Sequence, residues 1–181
     1  MVDNSNIFIE GQKISAIRKG VGPDAVTGKQ PGDMSWRIEF AKLLSYLADG
    51  RTIRKAFLVG SRPPPNDHVW EMAKANGFEV ITHARDANNK EKAVDTELVA
   101  RGTLAIATTP TPAVLIIASG DRDFIPLVNI AHELGWTVEM CAFSSSYAQQ
   151  GEMALAVDKV RPLDGSLDLI GYYAFVWPAK E

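Results

Sequence analysis

The chain has 181 residues, 46% hydrophobic and 23% charged, which fits one α/β domain whose core needs neither disulfides nor a structural metal. Its net charge of -3 argues against a protein that coats nucleic acid by bulk electrostatics, yet it suits an acid-lined site whose charge bound cations offset. The single Cys141 lies in an apolar run and reads as a small hydrophobe in a reducing, cytoplasmic setting. No basic-then-apolar leader opens the chain and its apolar runs are too short to span a bilayer, so no membrane partner is expected.

In chain order, Met1 and Val2 lead directly into the polar run Asp3-Asn4-Ser5-Asn6. Glu10 to Ser35 holds five glycines, two prolines and the bases Lys13, Arg18, Lys19 and Lys29, and reads as a loop over the sheet's active edge or a disordered insertion. From Trp36, the spacing of Phe40, Leu43, Leu44 and Leu47 predicts an amphipathic helix stopped at Asp49-Gly50. Ala56 to Gly60 reads as a buried strand, Pro63 to Pro65 as a turn, Asp67 to Asn76 as a helix ended by Gly77, and Phe78 to Thr82 as a strand. The polar stretch His83 to Lys92 reads as a second loop.

Val94 to Ala107 then reads as helix and Val114 to Ser119 as strand. Asp123 to Leu134 reads as a helix with Phe124, Leu127, Val128, Ala131 and Leu134 on one face, Pro126 in its first turn and Gly135 after it. Thr137 to Phe143 is strand-like. Strands alternating with helices imply a mostly parallel sheet covered on both faces. The chain is expected to be a single domain over residues 1–181, with a core about 1–143 and an extension 144–181. The apolar cluster Tyr172, Tyr173, Phe175, Val176 and Trp177 in that extension closes the sheet or supplies a homodimer contact.

Ser119-Gly120-Asp121-Arg122-Asp123-Phe124 puts two carboxylates beside a glycine turn after a buried strand, at the edge where open α/β sheets bind ligands. Asp121 or Asp123 could simply cap the next helix, Asp3 could belong to an ordinary turn, and Asp95 could complement a helix dipole. Two acids separated by one residue exceed what capping requires. Acids recurring at three element junctions point to one pocket, and converging carboxylates need a cation.

Other patterns fail on their spacing. Gly20-Val21-Gly22-Pro23-Asp24-Ala25 mimics a dinucleotide fingerprint, but no strand precedes it and Pro23 interrupts it; Gly28-Lys29-Gln30 lacks the remainder of a phosphate loop. His132-Glu133 meets Trp136 where a zinc protease needs histidine, and His68, His83 and His132 show no metal-ligand spacing with one another or with Cys141.

Val2-Asp3-Asn4-Ser5-Asn6, Lys92-Ala93-Val94-Asp95-Thr96-Glu97-Leu98 and Ser119-Gly120-Asp121-Arg122-Asp123-Phe124-Ile125-Pro126-Leu127-Val128, taken in order, resemble the NYN family, in its LabA-like branch of PIN-like nucleases. The resemblance covers about Met1 to Phe143. It implies a PIN-like three-layer α/β/α fold, a divalent-metal site of the Mg²⁺ or Mn²⁺ type and ribonuclease activity with RNA as partner. It carries Asp3, Asp95, Asp121 and Asp123 as catalytic and metal-site acids, Asn6 and Ser119 as polar supports, and Lys92 as the basic position beside the middle acid. The family pattern opens with a full apolar strand, whereas only Met1 and Val2 precede Asp3 here: the true start lies upstream, or the first strand is short.

Metal-dependent hydrolysis of RNA phosphodiesters is therefore expected, with Arg18, Lys13, Lys29, Arg62 and Arg122 as candidate phosphate contacts and Asn6, Lys92 and Ser119 completing the substrate side. The alternatives are a catalytically silent RNA-binding scaffold and a small-substrate phosphohydrolase using the same acids.

Overall fold

The computed structural model describes residues 1–62, 68–84 and 94–174. Its strands are β1 (Val2–Asp3), β2 (Trp36–Ile38), β3 (Phe57–Arg62), β4 (Glu79–Ala84), β5 (Val114–Ile117), β6 (Thr137–Ala142), β7 (Lys159–Pro162) and β8 (Gly171–Tyr173). The helices are α1 (Asn4–Arg18), α2 (Phe40–Ala48), α3 (His68–Ala75), α4 (Val94–Ala107), α5 (Ile125–Glu133), α6 (Glu152–Ala156) and α7 (Leu167–Ile170). Two parallel three-stranded segments, β4-β3-β1 and β5-β6-β7, meet where Val2 bridges Ala118. The seam is stitched by Asp3 N–H donating to Ala118 O at 3.2 Å and Ala118 N–H donating to Met1 O at 2.8 Å.

The strands bury alternate side chains on opposite faces, as a pleat of period two requires. Leu58, Ala118, Cys141 and Phe143 join one core with Ile7 of α1, Leu43 and Leu47 of α2 and Trp70 of α3. Phe57, Val59, Leu115, Ile117, Val138 and Met140 join the other with Leu98 of α4 and Leu127 and Val128 of α5. Helix layers thus cover both faces of a parallel sheet, the α/β/α arrangement expected from sequence.

Two segments depart from the sequence reading. Glu10 to Ser35 is not a single loop, because α1 continues to Arg18. Its buried positions are Ile7, Gly11, Gln12, Ser15 and Ala16, a helical stripe of mostly small residues, while Ile9 and Ile17 face outward at 46% and 52% exposure. Small residues are needed there: a Cβ on Gly11 would lie 2.3 Å from the fully buried Trp36 ring.

Trp36 does not start a helix. It begins β2, which pairs antiparallel with β8 (Trp36 opposite Tyr173, Ile38 opposite Gly171), and α2 starts only at Phe40. Glu39 caps that helix by accepting from the backbone N–H of Ala41 and Lys42. The far chain end therefore builds a small ribbon with β2, and β7 adds the outer parallel strand beside β6. Loop His83 to Lys92 begins later than expected, since β4 runs to Ala84; residues 85–93 lie outside the described ones.

Glu139 is the buried acid of β6. Arg51 grips it with two bonds, Nη1 to Oε1 at 3.0 Å and Nη2 to Oε2 at 2.9 Å, and Arg161 Nη1 adds a third at 3.2 Å. The same arginines donate to Tyr46, Leu47 and Ala48 carbonyls at the end of α2, satisfying groups a helix terminus leaves open. Among the described residues no helix is long and apolar enough to cross a membrane.

Candidate metal centre

Strand order reverses between β1 and β5. The chain leaves β1 into α1 on one face and leaves β5 towards α5 on the other, so the two connections diverge and open a crevice at the carboxyl edge. Asp3 ends β1, and Ser119 to Asp123 follow β5, so both motifs arrive at this switch point. Helix α4 packs on β1 and β3 and begins at the same edge, which delivers Asp95 in its first turn.

One carboxylate oxygen each of Asp95, Asp121 and Asp123 lies within 4.8 Å of the others. Asp95 and Asp121 are half-buried and Asp123 is exposed, so the cluster opens to solvent. Asp121 also caps the 3₁₀ turn Arg122–Phe124: its Oδ1 accepts the Asp123 N–H at 3.0 Å. Capping and clustering coexist, because a carboxylate has a second oxygen to offer.

Asp3 is not one of the three clustered acids. It is buried at 6% exposure, and its Oδ1 caps α1 by accepting the Asn6 N–H at 3.1 Å. Ser119, fully buried, donates to Asp3 Oδ2 at 3.3 Å and accepts from Asp121 N–H at 3.3 Å, joining Asp3 to the cluster through one hydroxyl. Gly120 follows because nothing larger fits: its Cβ would lie 2.3 Å from Ser146 Oγ and 2.8 Å from the Ser146 carbonyl oxygen.

Asn6 lies in the first turn of α1 after Asp3, and its Oδ1 is sealed from water without a hydrogen-bond partner among the described residues; the same holds for Asn4 Oδ1. The sequence marks Asn4 only by its place inside Asp-Asn-Ser-Asn. Three carboxylate oxygens gathered at one edge match the preference of hard cations such as Mg²⁺ or Mn²⁺ for oxygen donors. The residues present fit a divalent ion.

The basic candidates fare differently. Arg122 is exposed between the two clustered acids in sequence. Arg18 is at the opposite end of α1 from Asp3, about 22 Å away by helical rise, and its Nη1 pairs with Asp168 at 2.7 Å. It is not brought to the acids, because the helix that replaces the expected loop carries it away. Lys13 pairs with Glu10 at 2.7 Å and Lys29 is exposed in the connection after α1. Lys92 and the Arg62 side chain lie outside the described residues.

A parallel sheet in this strand order with acids at its switch point defines a PIN-like α/β protein. The NYN domain family model matches residues 4–164, and the chain belongs to that family, which is part of the PIN-like nuclease superfamily. No curated protein matches the chain. Among solved structures, a protein of unknown function from Vibrio parahaemolyticus is similar, at 15% identity and a TM-score of 0.65, over 94% of this chain and 93% of that one. That likeness is one of fold. The match to residue 164 also takes in β7, beyond the limit near Phe143 read from the motifs.

Proposed function

We propose that this protein is a divalent-metal-dependent ribonuclease that hydrolyses RNA phosphodiester bonds at its carboxyl-edge acids. The observation that carries the reading is the convergence of Asp95, Asp121 and Asp123 oxygens within 4.8 Å of one another. Oxygens of like charge gathered this closely favour the binding of a cation in the crevice. Asp95, Asp121 and Asp123 would hold Mg²⁺ or Mn²⁺, with Asp3 behind them, and the bound ion would supply an activated water and charge neutralisation at the phosphate.

The chain's own residues position. Ser119 fixes Asp3 relative to the Asp121 backbone, the 3₁₀ turn fixes Asp121 relative to Asp123, and exposed Arg122 is available to a phosphate oxygen. Purified protein incubated with structured RNA, single-stranded DNA and a phosphomonoester, with and without Mn²⁺, tests the reading against its rivals. Cleavage of RNA that needs Mn²⁺ and is lost in Asp121→Asn supports it. Hydrolysis of the monoester alone assigns a small-substrate phosphohydrolase, and RNA binding without cleavage across varied RNAs assigns a silent scaffold.

A further inference from the structure

A groove of about 660 Å³ opens between α1 and α3. Its end nearest the acids is lined by Asn4 and Ser5, which follow Asp3 directly, and by Ser61, two positions past the Asp3 neighbour Val59 on β3. Phe8 lies one helical turn further along α1, and Met72 of α3 and Tyr172 of β8 face the same space. Met72 and Tyr172 are 44% and 48% exposed, which is apolar surface left open in the described fold.

The groove also carries a charge, on an arginine whose Nη1 donates to the Met34 and Trp36 carbonyls. The Arg37 guanidinium lies 5.9 Å from the Phe8 ring centroid, while the nearby Glu39 carboxylate is spent on capping α2. Aromatic faces beside a cation, with amides and hydroxyls at one end, are what an unpaired nucleobase recognises: it stacks on rings and guanidinium planes and offers its edge to polar groups.

We propose that the groove receives an unpaired base of the RNA strand whose phosphodiester lies at the acid cluster, so that the substrate is single-stranded at that nucleotide. The inference rests on the ribonuclease reading. It follows from position, because Asn4 at the end of the groove directly follows Asp3, which Ser119 joins to the Asp121 backbone. Stacked duplex bases have no free face to insert.

The test is fluorescence anisotropy with a labelled oligouridylate and oligoadenylate in EDTA, where no metal-dependent cleavage intervenes. One abasic nucleotide is scanned along each strand against wild type, Met72→Glu and Tyr172→Ala. The expected result is one position at which base loss weakens wild-type binding about 10-fold, the scale of one stacked base. Each variant should weaken the intact strand comparably and be insensitive to base loss at that position.

Cleavage in Mn²⁺ is followed in parallel to separate the two readings. Mn²⁺-dependent cleavage with no abasic-sensitive position and unchanged variant affinities overturns the groove proposal while the nuclease reading stands. The abasic pattern without any cleavage supports the groove and sinks the nuclease reading. Failure of wild type to bind either strand overturns the groove proposal. So does Met72→Glu that leaves RNA affinity intact but converts a sedimenting dimer to monomer, which would assign the surface to a second copy.

Discussion

Ser119 Oγ stands between Asp3 and Asp121, donating to the Asp3 carboxylate and accepting the Asp121 backbone N–H, both at 3.3 Å. Ser119→Ala removes a donor from a buried carboxylate, which should lower stability by about 1–3 kcal/mol and weaken Mn²⁺ binding. Urea unfolding and a Mn²⁺ titration measure the two effects. A variant as stable as wild type would show that the hydroxyl does not hold Asp3.

Metal and fold should be linked. Mn²⁺ or Mg²⁺ at about 100 times its dissociation constant should stabilise the wild type by about 2.7 kcal/mol, read as a rise in Tm. Asp121→Asn keeps an oxygen for the Asp123 N–H but loses its negative charge, so its Tm should barely respond to metal. An equal metal-dependent rise in both proteins would remove Asp121 from the ligand set.

Leu127→Ala gives the opposite signature. Leu127 is fully buried in the core between α5 and the sheet, and its truncation should cost about 2–5 kcal/mol. RNA cleavage per folded molecule should be preserved at temperatures where the variant remains folded. Selective loss of cleavage without loss of stability would place Leu127 in the site rather than the core.

Acid should weaken the fold through Glu139. The hydrogen bonds from Arg51, more than the opposing burial, hold its carboxyl below the ordinary value of 4.5. The folded state therefore favours the ionised form, and this stabilisation is present above the unfolded-state pKa and fades as pH falls through the lower folded-state value. Glu139→Gln should be about 1–3 kcal/mol less stable than wild type at pH 7, with the gap closing below pH about 4. A gap independent of pH in chemical denaturation would reject the ionic origin.

Cys141 should be chemically silent in the native state. It is fully buried in the core, and burial pushes its thiol up to about 11, so little nucleophilic thiolate is present near neutral pH. A thiol reagent at pH 8 should label it only after denaturant is added. Rapid labelling of the native protein would reveal local opening of the β6 core.

The sequence by itself determined the parallel α/β class and the stretches whose side chains repeat with a clear period. Leu43 and Leu47 in α2, and Phe124, Leu127, Val128 and Ala131 leading into and along α5, are buried where their spacing puts them, because local periodicity reports burial against a sheet face; Leu134, read on the same face, is 42% exposed because it lies at the C-cap of α5. The acid motifs were legible for a related reason: each lies at an element junction that local signals mark. Helix α1 was not, since its buried face is Ile7, Gly11, Gln12, Ser15 and Ala16, mostly small or polar residues, with Gly11 required by the nearness of Trp36. Nor was β2, whose strand state depends on β8 more than a hundred residues away. Only the tertiary structure decided which acids meet: Asp95, Asp121 and Asp123 form the cluster while Asp3 stands behind Ser119, and Arg18 is carried to the far end of α1. Those distances come from strand order and helix direction, which join residues far apart in the chain and leave no periodic trace in it.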